Sequence, residues 1–408
     1  TLSQPEMPVF RISWLEKCRG LRPYQPKSEF KIHKILGDHP VWVQSLSQFI
    51  KSGNEVVFVI GNHDLELHFP KVQEIILSSL NLDSTEAERV RFNEWFYISN
   101  SDTLIEHGNQ YDPYCVAEDP IRPFVKRFNK IEVRVPFGNL ATRYLINGMG
   151  FFNPHADTNY LMSAKEYVKF FLRYIVKAQP MLMWTWLWGA CVTLFQSAFD
   201  RLLSPITNPL TIEDRIEEIA RKSNATPRMV RELKELFASP ASSDPVLIAQ
   251  ELWLDRAFLV TGAFLLFFQL LIFVKTVCDV SIFWMFVPLF LFLPFFVFYS
   301  RSIRSEVIEY KEPSEKILAL TSHITKVKRV VYGHTHIARH EIIGFVEHLN
   351  CGTWSPAFLD VECKKPIGRK TFVWISPSQQ QGRMAQLLEF NSTGVRNFQK
   401  SENPRRSA

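Results

Sequence analysis

The sequence predicts an α/β protein whose strands end in metal-binding chemistry, with a membrane-associated helical region inserted into it. Three observations carry that expectation. Glu55-Val-Val-Phe-Val-Ile60 is a near-continuous run of β-branched and aromatic residues, as in a buried strand, and it ends in Gly61-Asn62-His63-Asp64. Two distant segments repeat the pattern: Thr103 to Asp112 carries His107-Gly108, and Arg329 to His336 ends in Gly333-His334-Thr335-His336. Between them, residues 258–274 and 282–299 are almost pure Leu, Phe, Ile and Val, each about long enough to cross a bilayer core.

The chemistry follows from the strand ends. Open α/β sheets place ligands at the carboxyl ends of their strands, and Gly61 permits a sharp turn there. An amide oxygen, an imidazole and a carboxylate at consecutive positions suit a hard or borderline divalent ion and its acid/base partner. His334 and His336, two apart on an extended strand, would share a face. A surface turn would account for Gly-Asn-His-Asp alone. Three strand ends that each supply His or Asn argue for one shared centre.

Taken in this order, Gly61-Asn-His-Asp64, His107-Gly108 and Gly333-His-Thr-His336 resemble the calcineurin-like metallophosphoesterase superfamily, in its membrane-anchored bacterial type. The resemblance covers about residues 35–145 and 315–390. It implies a four-layer α/β-β/α sandwich holding two divalent ions, for which manganese, iron and zinc all suit the ligand types. By the same resemblance Asn62, His107 and His334 ligate one ion and His336 the other. His63 faces the substrate phosphate as proton donor or transition-state stabiliser, and Asp64 orients His63. Tyr111 and Asp112, just after His107, are candidates for substrate contact at the mouth, with a plain turn closed by Pro113 as the alternative.

Two earlier motifs of that family, Asp-x-His and Gly-Asp-x-x-Asp, are not found. Gly37-Asp38-His39-Pro40 lacks the second Asp, and Asp38 reads instead as the N-cap of a helix over 41–51, with Val43, Leu46, Phe49 and Ile50 on one face. The expectation is an amino-truncated piece of a longer enzyme, with a catalytically inactive scaffold of the same fold as the alternative. The implied activity is metal-dependent phosphoester hydrolysis on a lipid-linked or membrane-proximal phosphate. The motifs look similar to those of bacterial UDP-diacylglucosamine pyrophosphohydrolases, and a phosphoprotein or nucleotide substrate stays open.

Along the chain, residues 1–34 are basic and punctuated by proline, and read as a surface connection. Residues 65–93 read as helical, through Val72, Ile75, Ile76 and Leu80, and 94–99 as a strand. Arg122, Lys126, Arg127, Lys130, Arg134 and Arg143, interleaved with Phe124, Phe128 and Phe137, have a composition shared with nucleic-acid binders. Beside membrane segments it reads as a face on anionic lipid headgroups, and no nucleic-acid partner is expected. Cys18, Cys115, Cys191, Cys278, Cys351 and Cys363 form no CxxC pair, which fits reduced thiols facing the cytosol.

The reading divides the chain into residues 1–160 and 313–398, two parts of the catalytic domain, around an insert at 161–312. A third apolar run, 181–199, holds Thr185, Thr193, Gln196 and Ser197 beside Trp184, Trp186 and Trp188, residues favoured at the interface. Because His107 and His334 must meet, the chain crosses the membrane an even number of times between them. That parity makes 258–299 a hairpin and leaves 181–199 in the interface. Lys165, Lys169, Arg173, Lys177, Arg301, Arg304 and Lys311 flank the runs and place the catalytic domain in the cytoplasm, on a bacterial inner membrane. Residues 211–239 read as two helices, the second capped by Thr226 before Pro227, resting on the membrane surface. Strands are expected at 341–349, 371–375 and 384–390, a loop-positioning turn at Asn350-Cys-Gly-Thr-Trp354, and a disordered tail at 399–408.

Overall fold

In the computed structural model, the central strand forms as β1 (Val56–Val59) and pairs in parallel with β2 (Val90–Asn93), Phe58 stacking on Phe92 at 5.0 Å. The structure describes residues 10–147, 182–203, 205–206, 211–278, 281–303, 312–354, 370–378, 382–391 and 393–398. The expected disordered tail lies outside them. The described residues make a mixed α/β protein with helices and several small sheets.

The largest sheet holds five strands in the order β3 (Phe96–Ser99), β4 (Thr103–Glu106), β7 (Arg329–Tyr332), β9 (Val346–Asn350), β8 (Arg339–Ile343). β4 and β7 run parallel with Thr103 opposite Arg329, so His107 and Gly333 leave neighbouring strands at the same edge. β5 (Phe124–Arg127) and β6 (Lys130–Val133) form a separate hairpin, and β10 (Lys370–Ser378), β11 (Gly382–Asn391) and β12 (Gly394–Asn397) an antiparallel sheet. The single strand expected at 341–349 is a β8–β9 hairpin turning at Gly344, whose φ of +61° favours glycine.

Four other readings are corrected. The amino-terminal stretch is no surface connection from residue 14 onward: Trp14–Arg19 is a helix with a Ser13/Glu16 capping box, and Gln25–Asp38 is another. Asp38 closes that second helix, its carboxylate on Lys34 at 2.7 Å, and His39 rather than Asp38 precedes the helix Pro40–Lys51. Residues 65–93 do not stay helical. Helices Pro70–Ser79 and Ser84–Ala87 give way to β2, because Val90 and Phe92 bury against Leu36, Ile50 and Ile76 beneath β1.

The fourth correction concerns the helical pair, Ile212–Lys222 and Pro227–Lys234, which forms where expected with Thr226 capping the backbone N–H of Met229. Its apolar stripe faces inward rather than toward a surface. Ile216, Ile219, Val230 and Leu233 are buried with Phe96, Ile98, Leu104, Leu318 and Val330 in the core beside the five-stranded sheet. Burying an apolar face of this kind against a sheet returns about 25 cal/mol per Å².

Helix Leu254–Val277 has 24 residues, about 36 Å at 1.5 Å per residue, and is long and apolar enough to span a membrane. Beyond the first turn it is apolar but for Thr261, Gln269, Lys275 and Thr276, with Leu259, Ala263, Phe267, Leu271 and Val274 half-buried and the rest exposed. Phe286–Ser302 is a shorter apolar helix, preceded by a 3-10 turn at Ile282–Met285. Polar contacts tie their inner ends together: the Tyr299 hydroxyl donates to Asp255 at 2.9 Å, and the Arg256 guanidinium donates to the carbonyl of Ile303. Leu254, fully buried, fixes that end against Ala190 and Ile248 in the domain.

Candidate metal centre

Gly61 ends the β1 segment, and the reason is spatial. A Cβ at this position would lie 2.7 Å from the ring of His107, closer than atoms pack. Without it, Asn62 turns inward, nearly fully buried, and its Oδ1 lies 2.9 Å from His107 Nε2. The Asn62 amide nitrogen donates to Asn139 Oδ1 at 3.3 Å, while the Asn139 amide donates to the Asn62 carbonyl at 2.6 Å. This reciprocal pair fixes the Asn62 side chain with its oxygen toward His107.

The Gly333-His-Thr-His336 segment is not an extension of β7. His334 and His336 both adopt left-handed backbone, at φ +64° and +61°, so the two imidazoles leave a tight turn rather than one strand face. Such conformations cost of order 1 kcal/mol or more each and persist only where the surroundings hold them. Here Asn350 donates to the Gly333 carbonyl at 3.0 Å and to the Thr335 hydroxyl at 2.7 Å. Thr335 in turn donates to Glu312 at 3.2 Å, and Glu312 is also paired with Arg339. Gly333 N–H donates to the His107 carbonyl at 3.0 Å, joining this turn to the neighbouring strand end.

Four imidazoles therefore converge. The His107 and His334 rings lie 5.5 Å apart at 65°, and His107, His334 and His336 line one cleft of about 520 Å³ with Trp354 and Thr371. Burial, then the neighbouring His334, His63 and His336, hold the His107 pKa down to about 3. His63 sits at the open side; its side chain keeps solvent contact, yet the protein around it lowers its pKa, opposed by Asp64. Asp64 is raised by the same desolvation, with His63 opposing. His107 and His63 are thus uncharged near neutrality, the form in which imidazole offers a lone pair to a metal.

The donor set fits a divalent ion. Two ligand atoms each about 2.1 Å from one ion and at right angles are about 3.0 Å apart, close to the Asn62 Oδ1 to His107 Nε2 separation of 2.9 Å. Asp112, Cys115 and His334 form a second grouping, their ligand atoms all within 4.8 Å of one another. Asp112 Oδ2 lies 3.0 Å from His334 Nε2, and its other oxygen accepts from the backbone of Tyr114 at 2.8 Å. Burial, with Asp112 beside it, pushes the Cys115 thiol well above its ordinary range and keeps it protonated.

The structure places every sequence-predicted metal and catalytic residue at this centre: Asn62, His63, Asp64, His107, His334 and His336. It does not place Tyr111 or Asp112 at the mouth. Tyr111 is buried beside Glu106 and Gln110, and Asp112 lies behind His334, where a carboxylate fixes an imidazole's tautomer and orientation. Glu106 is buried with its pKa pushed up to about 7, and Gln110 donates to it at 2.6 Å. The supporting residues Asn139 and Glu312 have no signal in the local sequence, since each acts across a tertiary contact. Comparison of the chain with protein-family models, curated proteins and solved structures found no match.

Proposed function

We propose that this chain is part of a membrane-anchored, metal-dependent phosphoester hydrolase of the calcineurin-like kind, built as a four-layer sandwich around a dinuclear centre. The observation that supports it best is the meeting of Asn62, His63, His107, His334 and His336 from three strand ends far apart in sequence. Asn62, His107 and His334 would hold one ion and His336 another, of manganese, iron or zinc. When bound, such ions polarise phosphoryl oxygens and activate water for in-line attack.

The chain's own residues do the rest. Asn139 presents the Asn62 oxygen, Asp112 aligns His334, and Asn350 with Glu312 holds the turn that carries both terminal imidazoles. His63, uncharged and accessible, faces the open side, where a phosphoester oxygen would need a hydrogen-bond partner or a proton. The exposed apolar helix Leu254–Val277 would anchor this site at a bilayer, favouring a lipid-linked or membrane-proximal phosphate. A second reading, an inactive scaffold or a mononuclear site, is favoured by one observation. Asp64 and Asp112 are the carboxylates that meet these imidazoles among the described residues, and Asp38, the nearest match to the absent motifs, is engaged with Lys34.

The test is turnover of bis-p-nitrophenyl phosphate by full-length protein loaded with manganese, beside His334→Ala. Loss of an imidazole ligand should reduce the rate by orders of magnitude while the fold survives. Wild-type turnover by the variant, or none by the parent with any of the three metals, would defeat the reading.

A further inference from the structure

Helix Leu182–Arg201 is amphipathic in the reverse sense of a helix at a water surface. The adjacent Gly189 and Ala190, then Thr193, Ser197 and Asp200 at steps of three or four, are its buried stripe, all small or polar. Gly189 presses so close to Tyr144 that a Cβ would sit 2.7 Å from that carbonyl, and Asp200 pairs with Arg127. Large apolar residues point outward: Trp184, Phe195 at 71% exposure and Phe199 in the helix, and Leu202 at 78% just after it. A soluble protein places these residues the other way round.

Two other elements extend this face. Phe128, at the tip of the β5–β6 hairpin in left-handed backbone, is 82% exposed and stacks on Phe199 at 6.2 Å. Trp14, also exposed, meets Trp188 edge-on at 6.0 Å. Exposed Lys17, Lys126, Lys130 and Arg201 lie beside these aromatics in the chain, while Glu132 and Asp200 of the same region are turned inward. The helix adjoins the base of the apolar hairpin, since its Leu187 and Leu194 pack in the cluster that buries Leu254.

We infer that the outward face of Leu182–Arg201, with the tips Phe128 and Trp14, is a second membrane contact that lies in the interface of an anionic bilayer. The inference rests on the anchor reading above. Exposed aromatics take the depth of the glycerol and headgroup region, and the lysines meet anionic lipid. Tips on separate elements, flanking a hairpin that passes inward, fix the domain's tilt as well as its distance from the bilayer. The centre would then face a constant depth of lipid headgroup.

The test uses full-length protein with native cysteines replaced, in vesicles of phosphatidylcholine with phosphatidylglycerol. Single spin labels are placed by Phe128→Cys, Phe195→Cys, Phe268→Cys in the hairpin and Thr85→Cys on the exposed far helix. Collision with a water-soluble nickel relaxant should fall several-fold at 128 and 195 relative to 85, and oxygen collision should rise. Lys126→Glu with Lys130→Glu should return the 128 label toward water. Labels at 128 and 195 as aqueous as 85, with 268 in the bilayer, would overturn the platform and leave the anchor standing. Shielding of 128 and 195 from nickel with oxygen collision lowered as well would overturn it in favour of a protein partner. An aqueous reading at 268 would remove the anchor, and the platform with it.

Discussion

Behind the imidazoles stands a set of residues whose work is orientation, and Asp112 is the most exposed to test. Its carboxylate meets His334 Nε2 at 3.0 Å and so directs the other ring nitrogen forward. Asp112→Asn keeps the volume and removes the anionic acceptor. Metal affinity, read by chelator competition, should weaken by about 10- to 100-fold, the usual loss when such a partner is removed. Unchanged affinity would reduce Asp112 to a turn residue. His68 tests a different residue-scale effect. Burial, with Arg215 and Lys222 nearby, lowers its pKa from 6.5 to about 3. The unfolded chain therefore binds a proton between those values that the folded chain refuses, and His68 subtracts stability as pH falls from about 6.5 toward 3. Glu106, raised to about 7, acts in the opposite direction, so the two are separated by substitution. His68→Leu should lose less thermal stability than wild type between pH 7 and pH 5, and equal losses would mean His68 is protonated in the fold. The residues that converge at this centre were legible because each lies within two positions of a glycine or histidine at a strand end. Asn139 was not, since its bond to Asn62 spans 77 positions.

At the scale of elements, an amphipathic stripe names the face that buries and not the surface it buries against. Thr226 and Pro227 announced a helix start, and the helix begins there. Nothing local says that Val230 and Leu233 meet Phe96, Leu104 and Val330 rather than lipid. Leu233→Ala should therefore destabilise this core by about 2–5 kcal/mol, as large-to-small changes in a packed interior do. The measurement is the thermal unfolding midpoint in detergent, and a midpoint within a degree of wild type would return the pair to the periphery. The other misread elements share a cause. Gln25–Asp38 is a polar helix with few apolar residues to set a period, and Val90–Asn93 is too short to compete with the helical run before it. Both are settled by tertiary contact: β2 pairs with β1, and Leu36 packs beneath that pair. Local propensity is a weak prior beside such burial.

For the molecule as a whole, the parallel pairing of β4 with β7 sets the topology. These strands flank the apolar helices in sequence and lie side by side in one sheet, so any membrane crossing between them must be matched by a return. The helical pair adds a second fixed point, since Ile212–Lys222 and Pro227–Lys234 sit in the same core. Between Lys234 and Arg329 the described apolar helices are Leu254–Val277 and Phe286–Ser302, an even number, joined at their inner ends by Asp255, Arg256 and Tyr299. The hairpin is thus compatible with the fold only if both helices enter the bilayer together. Leu182–Arg201 instead buries Thr193, Ser197 and Asp200 against the domain. Cysteines placed by Arg228→Cys and Glu315→Cys should react with an impermeant thiol reagent only after the inner membrane is opened. One placed by Ser281→Cys, in the hairpin turn with Cys278 replaced, should react in intact cells once the outer layer admits the reagent. The pattern should be all-or-none, because drawing an Arg or Lys to the bilayer centre costs about 2.5–3.5 kcal/mol on insertion scales, and Lys275 and Arg301 close the helices. Reaction at 228 but not at 315 in intact cells would contradict the packing of the helical pair in the sheet core, and reaction at both would reverse the expected orientation. Protection at 281 would leave both apolar helices inside the cytoplasm, and the membrane anchor would fall with them.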